Sequence, residues 1–325
     1  MIEAASRGDA TVARRLAELA QHAGAAVVAD VERIVAAPGG DPLGGSTIGA
    51  EAAAELVARH GLGSTTELAL LALPVARAMA HPPISGYRVA AVGIEAEGNL
   101  VLGANLEFPG ADLGATIHAE GFVAFRTRRR GRRLATLAVR EAHPCAHCRQ
   151  TLAEVADADR LAIIDLLGNR RSLDDLYPWP FQPAALEHDG DAPGATPWPG
   201  LTLASPARAS EPALPPDVAA ELLAAGSRAH APYSAAPSAV VLRLRDRRLL
   251  SAGCVESVAF NPSVTAMQAA LVEAAAARTD AAEITDAWLG RTEGGSVDPE
   301  AGFRALLRAV APDAHATVVD WRAGD

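Results

Sequence analysis

The sequence predicts an α/β protein in which one fold occurs twice, preceded by a helical region. Apolar residues recur at spacings of three and four over residues 1–60, the pattern of amphipathic helices. From Tyr87 onward, strand-like and helix-like segments alternate, which is typical of a sheet covered by helices. A strand–turn–strand pattern that ends at Glu107 recurs in the second half of the chain, where it ends at Glu256.

The first copy is predicted over residues 61–177. Its first segment, "TTELALLALPVARAMA", predicts a helix that is capped by Thr65. Two strands and the polar turn between them are predicted next, in "YRVAAVGIEAEGNLVLGANLEF". A helix, a buried strand, a helix with Pro144 in its first turn and a further strand follow in "ATIHAEGFVAFRTR", "RLATLAVRE", "HPCAHCRQTLAEV" and "RLAIIDLL".

A segment rich in Pro, Gly, Ala and Asp separates the two copies. Residues 178–216 have this composition, which predicts a partly extended linker. Helical periodicity resumes after it, and the strand–turn–strand pattern returns in "SAVVLRLRDRRLLSAGCVE". The predicted organisation is therefore a helical region (1–60), a first copy (61–177), a linker and a second copy (217–325).

Composition limits the possible classes of function. The chain has 325 residues and a formal charge of −10, which argues against a general affinity for nucleic acid. Its three cysteines do not suggest a disulfide framework. The N-terminus has no apolar core of signal-peptide type, and the most apolar run is interrupted by Pro74 and Arg77. We expect a cytoplasmic protein with neither a membrane nor a nucleic-acid partner.

The second copy lacks the polar centre of the first. The same number of residues leads from the closing Glu107 to Glu120 and from Glu256 to Ala269, so "HAE" of the first copy is predicted to face "MQA" of the second. No cysteine follows Cys254. The second copy is therefore predicted to keep the fold without the chemistry.

Four residues of the first copy predict a catalytic zinc site. Cys145 and Cys148 lie one turn apart at a helix start, where free N–H groups and the helix dipole favour thiolates. With His118 they make three good zinc ligands and leave a fourth position for water. Glu120 is the carboxylate that takes the proton from that water. H-x-E followed by P-C-x-x-C is the pattern of zinc deaminases.

Two other interpretations of this cluster remain open at the level of sequence. A closed structural zinc site would need a fourth ligand, and His143 and His147 flank the cysteines. A redox Cys-x-x-Cys pair without zinc would leave His118 and Glu120 without a role.

Five dispersed segments together resemble the cytidine deaminases of the two-domain, homodimeric type: "TIHAE", "HPCAHCRQ", "GANLEF", "APYSAAPS" and "AFNP". The resemblance covers nearly all of the chain from about residue 60. It implies a duplicated three-layer α/β/α sandwich in which only the first copy binds zinc, one ion per chain. It also implies a homodimer in which the partner subunit completes the active site.

The resemblance implies hydrolytic deamination of a free nucleoside. Cytidine and 2′-deoxycytidine would become uridine and 2′-deoxyuridine plus ammonia, as in pyrimidine salvage. A zinc-held hydroxide would attack C4, and Glu120 would move the protons. The alternatives are a deaminase of a modified cytosine nucleoside and a zinc-stabilised dimeric binding protein without enzyme activity.

The resemblance also suggests the substrate contacts. Asn105 and Glu107 would bind the ribose hydroxyls, although both could simply cap a strand end. Tyr87 would lie against the base, where relatives carry Phe. The backbone of Ala119 would contact the base, and the carbonyl of His143, which stands where relatives often carry Thr, would receive the substrate amine.

Two features near the site have competing interpretations. Arg149 follows Cys148 and could donate a hydrogen bond to a thiolate, or it could be a solvated helix residue. The run "FRTRRRGRR", which ends at Arg133, could bind nucleic acid, or it could be a solvated or salt-bridged loop. The acidic charge of the chain favours the second interpretation.

Overall fold

The computed structural model has two compact units. The first comprises Met1–Leu106, Ile117–Pro180 and Ala276–Arg278, and the second comprises Glu107–Thr116, Phe181–Ala275 and Thr279–Asp325. The residues that the structure describes are 8–36, 45–140, 143–154, 160–187, 197–204 and 214–322.

Helices make up most of the described part of the N-terminal region, as predicted. They are α1 (Ala10–His22), α2 (Gly24–Ala36) and α3 (Ala50–Arg59). One short strand, β1 (Thr47–Ile48), was not predicted, and it pairs with a strand of the first sheet. Helix α4 (Thr65–Ala78) is capped by Ser64 and not by Thr65, because the Ser64 hydroxyl accepts a hydrogen bond from the backbone N–H of Glu67.

The first unit contains a six-stranded mixed sheet in the order β1-β3-β2-β4-β5-β6. Strands β4 and β5 are parallel, and the other neighbours are antiparallel. The remaining elements are β2 (Ala90–Glu95), β3 (Leu100–Ala104), α5 (Ala119–Arg129), β4 (Leu134–Val139), α6 (Ala146–Ala153), β5 (Ala162–Asp165), β6 (Arg170–Ser172) and α7 (Leu173–Leu176).

Helices cover both faces of this sheet. Neighbouring residues of a strand point to opposite faces. Val92 and Leu102 belong to the hydrophobic core that contains α4, whereas Ala91 and Val101 belong to the core that contains α5. The first copy is therefore a three-layer α/β/α sandwich, as the resemblance implied.

The second unit repeats this topology. Its elements are β7 (Thr202–Leu203), α8 (Pro216–Ser227), β8 (Ala239–Leu244), β9 (Leu249–Gly253), α9 (Ala266–Ala276), β10 (Ile284–Thr292), α10 (Glu300–Val310) and β11 (His315–Arg322). The order β11-β10-β8-β9 matches β5-β4-β2-β3, and β10 and β11 are parallel, as β4 and β5 are. The fold is therefore duplicated.

The residues that correspond between the copies differ from those predicted by counting. Backbone bridges join Leu106 to Ile117 in the first copy and Val255 to Val264 in the second. The segment between the bridged residues is two residues shorter in the second copy. "HAE" therefore corresponds to "TAM", and the predicted pairing with "MQA" is wrong by two residues.

A helix cap replaces the metal ligand in the second copy. Thr265 stands at the position of His118, and its hydroxyl accepts from the backbone N–H of Gln268 at 3.3 Å. The Gln268 side-chain oxygen accepts in return from the backbone N–H of Thr265 at 2.9 Å. This reciprocal pair is a capping box. Met267 stands at the position of Glu120.

The predicted linker is only partly described. Residues 188–196 and 205–213 lie outside the described residues. Strand β7 falls within the predicted linker, yet it pairs with β11 and so belongs to the second sheet. No helix in the described part of the chain has both the length and the apolar character needed to cross a membrane.

Candidate metal centre

Three ligand-bearing side chains meet where two helices of the first unit begin. His118 is the N-cap residue of α5, and Cys145 is the N-cap residue of α6. His118 Nδ1 lies 3.4 Å from Cys145 Sγ and 3.5 Å from Cys148 Sγ, and the three ligand atoms all lie within 4.8 Å of one another. Among the described residues this is the one such group.

The spacing of these atoms fits zinc. Bonds of about 2.0–2.3 Å from a tetrahedral zinc ion place neighbouring ligand atoms roughly 3.6 Å apart. The two sulfur–nitrogen distances of 3.4 and 3.5 Å are close to that edge length. One imidazole and two thiols are also a donor set that zinc prefers.

The two cysteines share one hydrogen bond, which shifts their pKa values in opposite directions. The hydrogen bond from Cys148 and then the one from His118 lower the pKa of Cys145 to about 3. The same bond to Cys145, together with burial, raises the pKa of Cys148. Both sulfurs must be deprotonated when they bind a metal.

Glu120 lies in the first turn of α5, two residues after His118, and is only 3% exposed. Burial raises its pKa, and a hydrogen bond to Cys148 is among the opposing effects. Because burial favours its protonated form, this carboxyl is suited to carrying a proton. It does not belong to the metal-ligand group of the described residues.

Neither neighbouring histidine belongs to the ligand group of the described residues. His147 is exposed. His143 Nε2 donates a hydrogen bond to Asp165 Oδ2 at 3.1 Å. A closed zinc site with one of these histidines as fourth ligand therefore receives no support from the structure.

Asp165 is a residue that the sequence reasoning missed. It is the last residue of β5 and lies opposite Val139, the last residue of the parallel strand β4. A carboxylate at the carboxyl end of a buried parallel strand is a recognisable signal, because open α/β sheets bind ligands at that edge.

Asn105 holds two backbone segments together. Its side-chain oxygen accepts from Val89 N at 2.8 Å, and its side-chain nitrogen donates to Tyr87 O at 2.9 Å. The amide has one further donor and one further acceptor position for a ligand. The ring of Tyr87 is exposed, Ala119 is buried at the start of α5, and Glu107 is a buried residue of the second unit.

Arg149 is placed differently from the prediction. Its Nε donates to Pro144 O and its Nη1 donates to Leu176 O, both at 2.7 Å. The guanidinium extends beyond the start of α6, where it contacts the carbonyl of Pro144 and the carbonyl of Leu176 at the end of α7. Arg149 therefore fixes the backbone next to Cys145 instead of the thiolate.

The arginine-rich run is bound to acceptors of the protein itself. Arg126 is buried and donates to Gly45 O at 2.6 Å. Arg130 forms a buried ion pair with Glu95 at 3.0 Å, and Arg132 forms an exposed one with Glu97 at 3.3 Å. These contacts support the salt-bridged interpretation of the run.

Comparison with known proteins decides the family. Two models of the cytidine and deoxycytidylate deaminase zinc-binding region match this chain, one over residues 63–164 and the other over residues 173–301. A cytidine deaminase of Vibrio atlanticus is 32% identical over 268 residues, which are 82% of this chain and 87% of the relative. The chain belongs to the cytidine deaminase family.

Two further relatives show how widely the similarity extends. A cytidine deaminase of Aliivibrio fischeri is 33% identical over 77% of this chain and 81% of the relative. Cytidine deaminase 6 of Arabidopsis thaliana is 32% identical over 78% of this chain and 92% of the relative. This cytidine deaminase family member is a hydrolase that acts on a C–N bond, with one zinc ion per chain.

Proposed function

We propose that the protein deaminates cytidine and 2′-deoxycytidine to uridine and 2′-deoxyuridine, with one water consumed and one ammonia released. The observation that carries this proposal is the buried Glu120 two residues from His118, in a cluster whose spacing fits zinc. A structural zinc site has no need of a buried carboxylate there. We further propose that residues 61–177 are the catalytic domain and that 217–325 are a degenerate copy.

The chemistry divides between the metal and the protein. Zinc held by His118, Cys145 and Cys148 would act as a Lewis acid and make water acidic enough to lose a proton near neutral pH. Glu120 accepts a proton from the attacking water and delivers it to N3 of the pyrimidine, so C4 becomes more electrophilic. Glu120 then takes the second proton, from the hydroxyl now bonded to C4, and passes it to the departing amine, so the C4–N bond breaks, the C4 carbonyl forms and ammonia leaves.

The substrate contacts extend this proposal. Asn105 and Glu107 bind the ribose hydroxyls, and the spare donor and acceptor positions of the Asn105 amide support this role. The ring of Tyr87 lies against the base, the Ala119 backbone contacts the base edge, and the His143 carbonyl receives the substrate amine. The exposed ring of Tyr87 is compatible with stacking on a ligand.

Tyr87 and His143 also motivate the second candidate substrate. Tyr87 adds a ring hydroxyl where relatives carry Phe, and His143 places an imidazole where relatives often carry Thr. A cytosine nucleoside with a modified base would use these groups, and a substrate panel separates it from cytidine.

We propose a homodimer that acts in pyrimidine salvage in the cytoplasm, as the family resemblance suggests, with the partner subunit completing each active site. Trp179 is 91% exposed, and a large exposed aromatic side chain is typical of a protein interface. Sedimentation of the zinc-loaded protein tests the dimer. A monomer at concentrations where the protein is active would contradict it.

Activity and zinc content measured together test the proposed function. We expect loss of the cytosine absorbance band with cytidine and deoxycytidine. Glu120→Gln keeps one zinc per chain, and its kcat falls by about 10²–10⁴-fold, because the proton carrier is gone. Glu55→Gln, an exposed change, is the matched control and leaves both quantities unchanged. A zinc-loaded protein that leaves both nucleosides intact would contradict the proposal.

A further inference from the structure

A histidine stands two residues before the first metal-binding cysteine and yet lies outside the ligand group. We propose that Asp165 is the positioning residue that keeps His143 out of the metal's coordination shell, so that the fourth position stays open to water. The proposal rests on the three-ligand zinc centre described above and is independent of which nucleoside is the substrate.

The hydrogen bonds of Asp165 fix its carboxylate firmly. Oδ1 accepts from the backbone N–H groups of Leu167 at 2.9 Å and Asn169 at 3.0 Å. Oδ2 accepts from Asn169 Nδ2 at 2.7 Å and from His143 Nε2 at 3.1 Å. The carboxylate side chain is 7% exposed. The turn between β5 and β6 holds the Asp165 carboxylate in place, so the carboxylate can orient the side chain of His143.

The position of His143 explains why an anchor is needed. The residue follows β4 and precedes α6, so it shares a short segment with Cys145. Its side chain is 45% exposed, so packing alone does not immobilise it. The hydrogen bond to Asp165 engages Nε2 and thereby orients the ring.

The chemistry of zinc gives this orientation a consequence. Neutral imidazole is among the best zinc ligands, and a fourth nitrogen or sulfur donor turns an open catalytic site into a closed structural one. A free imidazole in the segment that carries Cys145 would compete with water for the fourth position. The hydrogen bond to Asp165 holds the His143 ring outside the ligand group, so that its other nitrogen, Nδ1, does not take that position.

Cobalt(II) and azide provide a test that does not depend on catalysis. Co²⁺ replaces zinc in such sites and has a visible spectrum that responds to its ligands. In the wild type, we expect azide to reach the open position and change this spectrum. In Asp165→Ala, we expect His143 to take that position, so Co²⁺ binds more tightly because it gains a fourth protein ligand. The response to azide is lost.

Three further variants control this result. Asp165→Ala combined with His143→Ala restores the wild-type Co²⁺ affinity and azide response. Asn169→Ala removes one hydrogen bond from the same carboxylate without removing the one to His143, and we expect a wild-type spectrum. Asp165→Ser keeps a hydroxyl that can accept the backbone N–H groups of the turn but is too short for His143. If Asp165→Ala folds poorly, Asp165→Ser takes its place in the test, and we expect it to show the same loss of the azide response.

Two outcomes would overturn the inference. The first is an unchanged azide response and Co²⁺ affinity in both Asp165 variants. The second is a change in Asp165→Ala that persists when His143 is also replaced. The variant His118→Ala tests the ligand set itself and so distinguishes an error in the role of Asp165 from an error in the metal site. If His118→Ala binds Co²⁺ as the wild type does, the proposed ligand set is wrong.

Discussion

At the scale of single residues, Asn105 combines support of the backbone with a proposed contact to the substrate. Its amide satisfies Val89 N and Tyr87 O in a buried place. A buried polar group without a partner costs about 1–3 kcal/mol, so this side chain cannot be removed without effect on the fold. Asn105 was predicted both as a ribose contact and as a strand-end cap, and the structure shows the second of these.

Replacement of Asn105 should reveal both contributions. We expect Asn105→Ala to lower the free energy of unfolding by about 1–3 kcal/mol, because two half-buried backbone groups lose their partner. Urea unfolding measures this loss. Asn105→Asp still accepts from Val89 N but places a carboxylate oxygen against Tyr87 O, so we expect its loss of stability at pH 7 to be at least as large. An alanine variant as stable as the wild type would contradict the backbone role.

At the scale of secondary-structure elements, the helix starts have diverged between the copies. Helix α5 begins with His118, which makes no side-chain cap, and α9 begins with the reciprocal pair of Thr265 and Gln268. In the first copy, the N-cap residue His118 is a metal ligand and forms no capping hydrogen bond. The second copy has a cap in its place.

Loss of this cap should destabilise the second unit. We expect Thr265→Ala to reduce the free energy of unfolding by about 1 kcal/mol, the usual effect of removing an N-cap hydroxyl. Thr265→Ser keeps the hydroxyl and serves as the matched control. Equal stability of the alanine and serine variants in urea unfolding would show that the hydroxyl contributes nothing.

Helices α2 and α3 are joined by one carboxylate. Asp30 accepts hydrogen bonds from Arg33 at 2.7 Å and from Arg59 and His60 at 3.0 Å each. Together these bonds lower the pKa of Asp30 well below its usual range. The bond from Arg33 has the largest effect, followed by the bonds from Arg59 and His60. Ionised Asp30 therefore stabilises the folded state.

This pKa shift predicts a pH-dependent difference in stability. Because the folded pKa lies below the unfolded value of about 4, the contribution is fully present above that value and is lost as the pH falls toward the folded pKa. Asp30→Asn should have a lower Tm than the wild type at pH 7, and the gap should narrow below about pH 4. Glu32→Gln, an exposed change in the same helix, is the control. A gap that widens in acid would contradict the assignment.

At the scale of the whole molecule, one fold occurs twice, and among the residues that the structure describes only the first copy has a group of metal ligands. The strand order and the parallel pair are the same in both sheets. One family model matches each half of the chain, although Thr265 and Met267 replace His118 and Glu120 in the second half. Metal binding should therefore stabilise the two units unequally.

Removal of zinc with a chelator tests this inequality. We expect faster amide hydrogen exchange in α5 and α6, whose first turns carry the ligands, and unchanged exchange in α8 and β8. A protein reloaded with zinc is the control and should recover its protection. Equal loss of protection in both units would indicate that the metal supports the whole chain and not the first copy alone.

The sequence by itself determined the fold class, the duplication and the zinc ligands. Periodicity, turn residues and the spacing H-x-E and C-x-x-C are local properties, so they can be read along the chain. For the same reason the sequence indicated that the second copy lacks the ligands, even though the predicted residue pairing was wrong by two.

Only the tertiary structure decided which distant groups meet. The pairing of His143 with Asp165, the carbonyl partners of Arg149 and the contact between Arg126 and Gly45 join residues far apart in sequence. The same is true of the unpredicted strand β1 and of the pairing of β7 with β11. Hydrogen bonds require atoms about 3 Å apart, and the path of the folded chain, which local patterns do not specify, sets those distances.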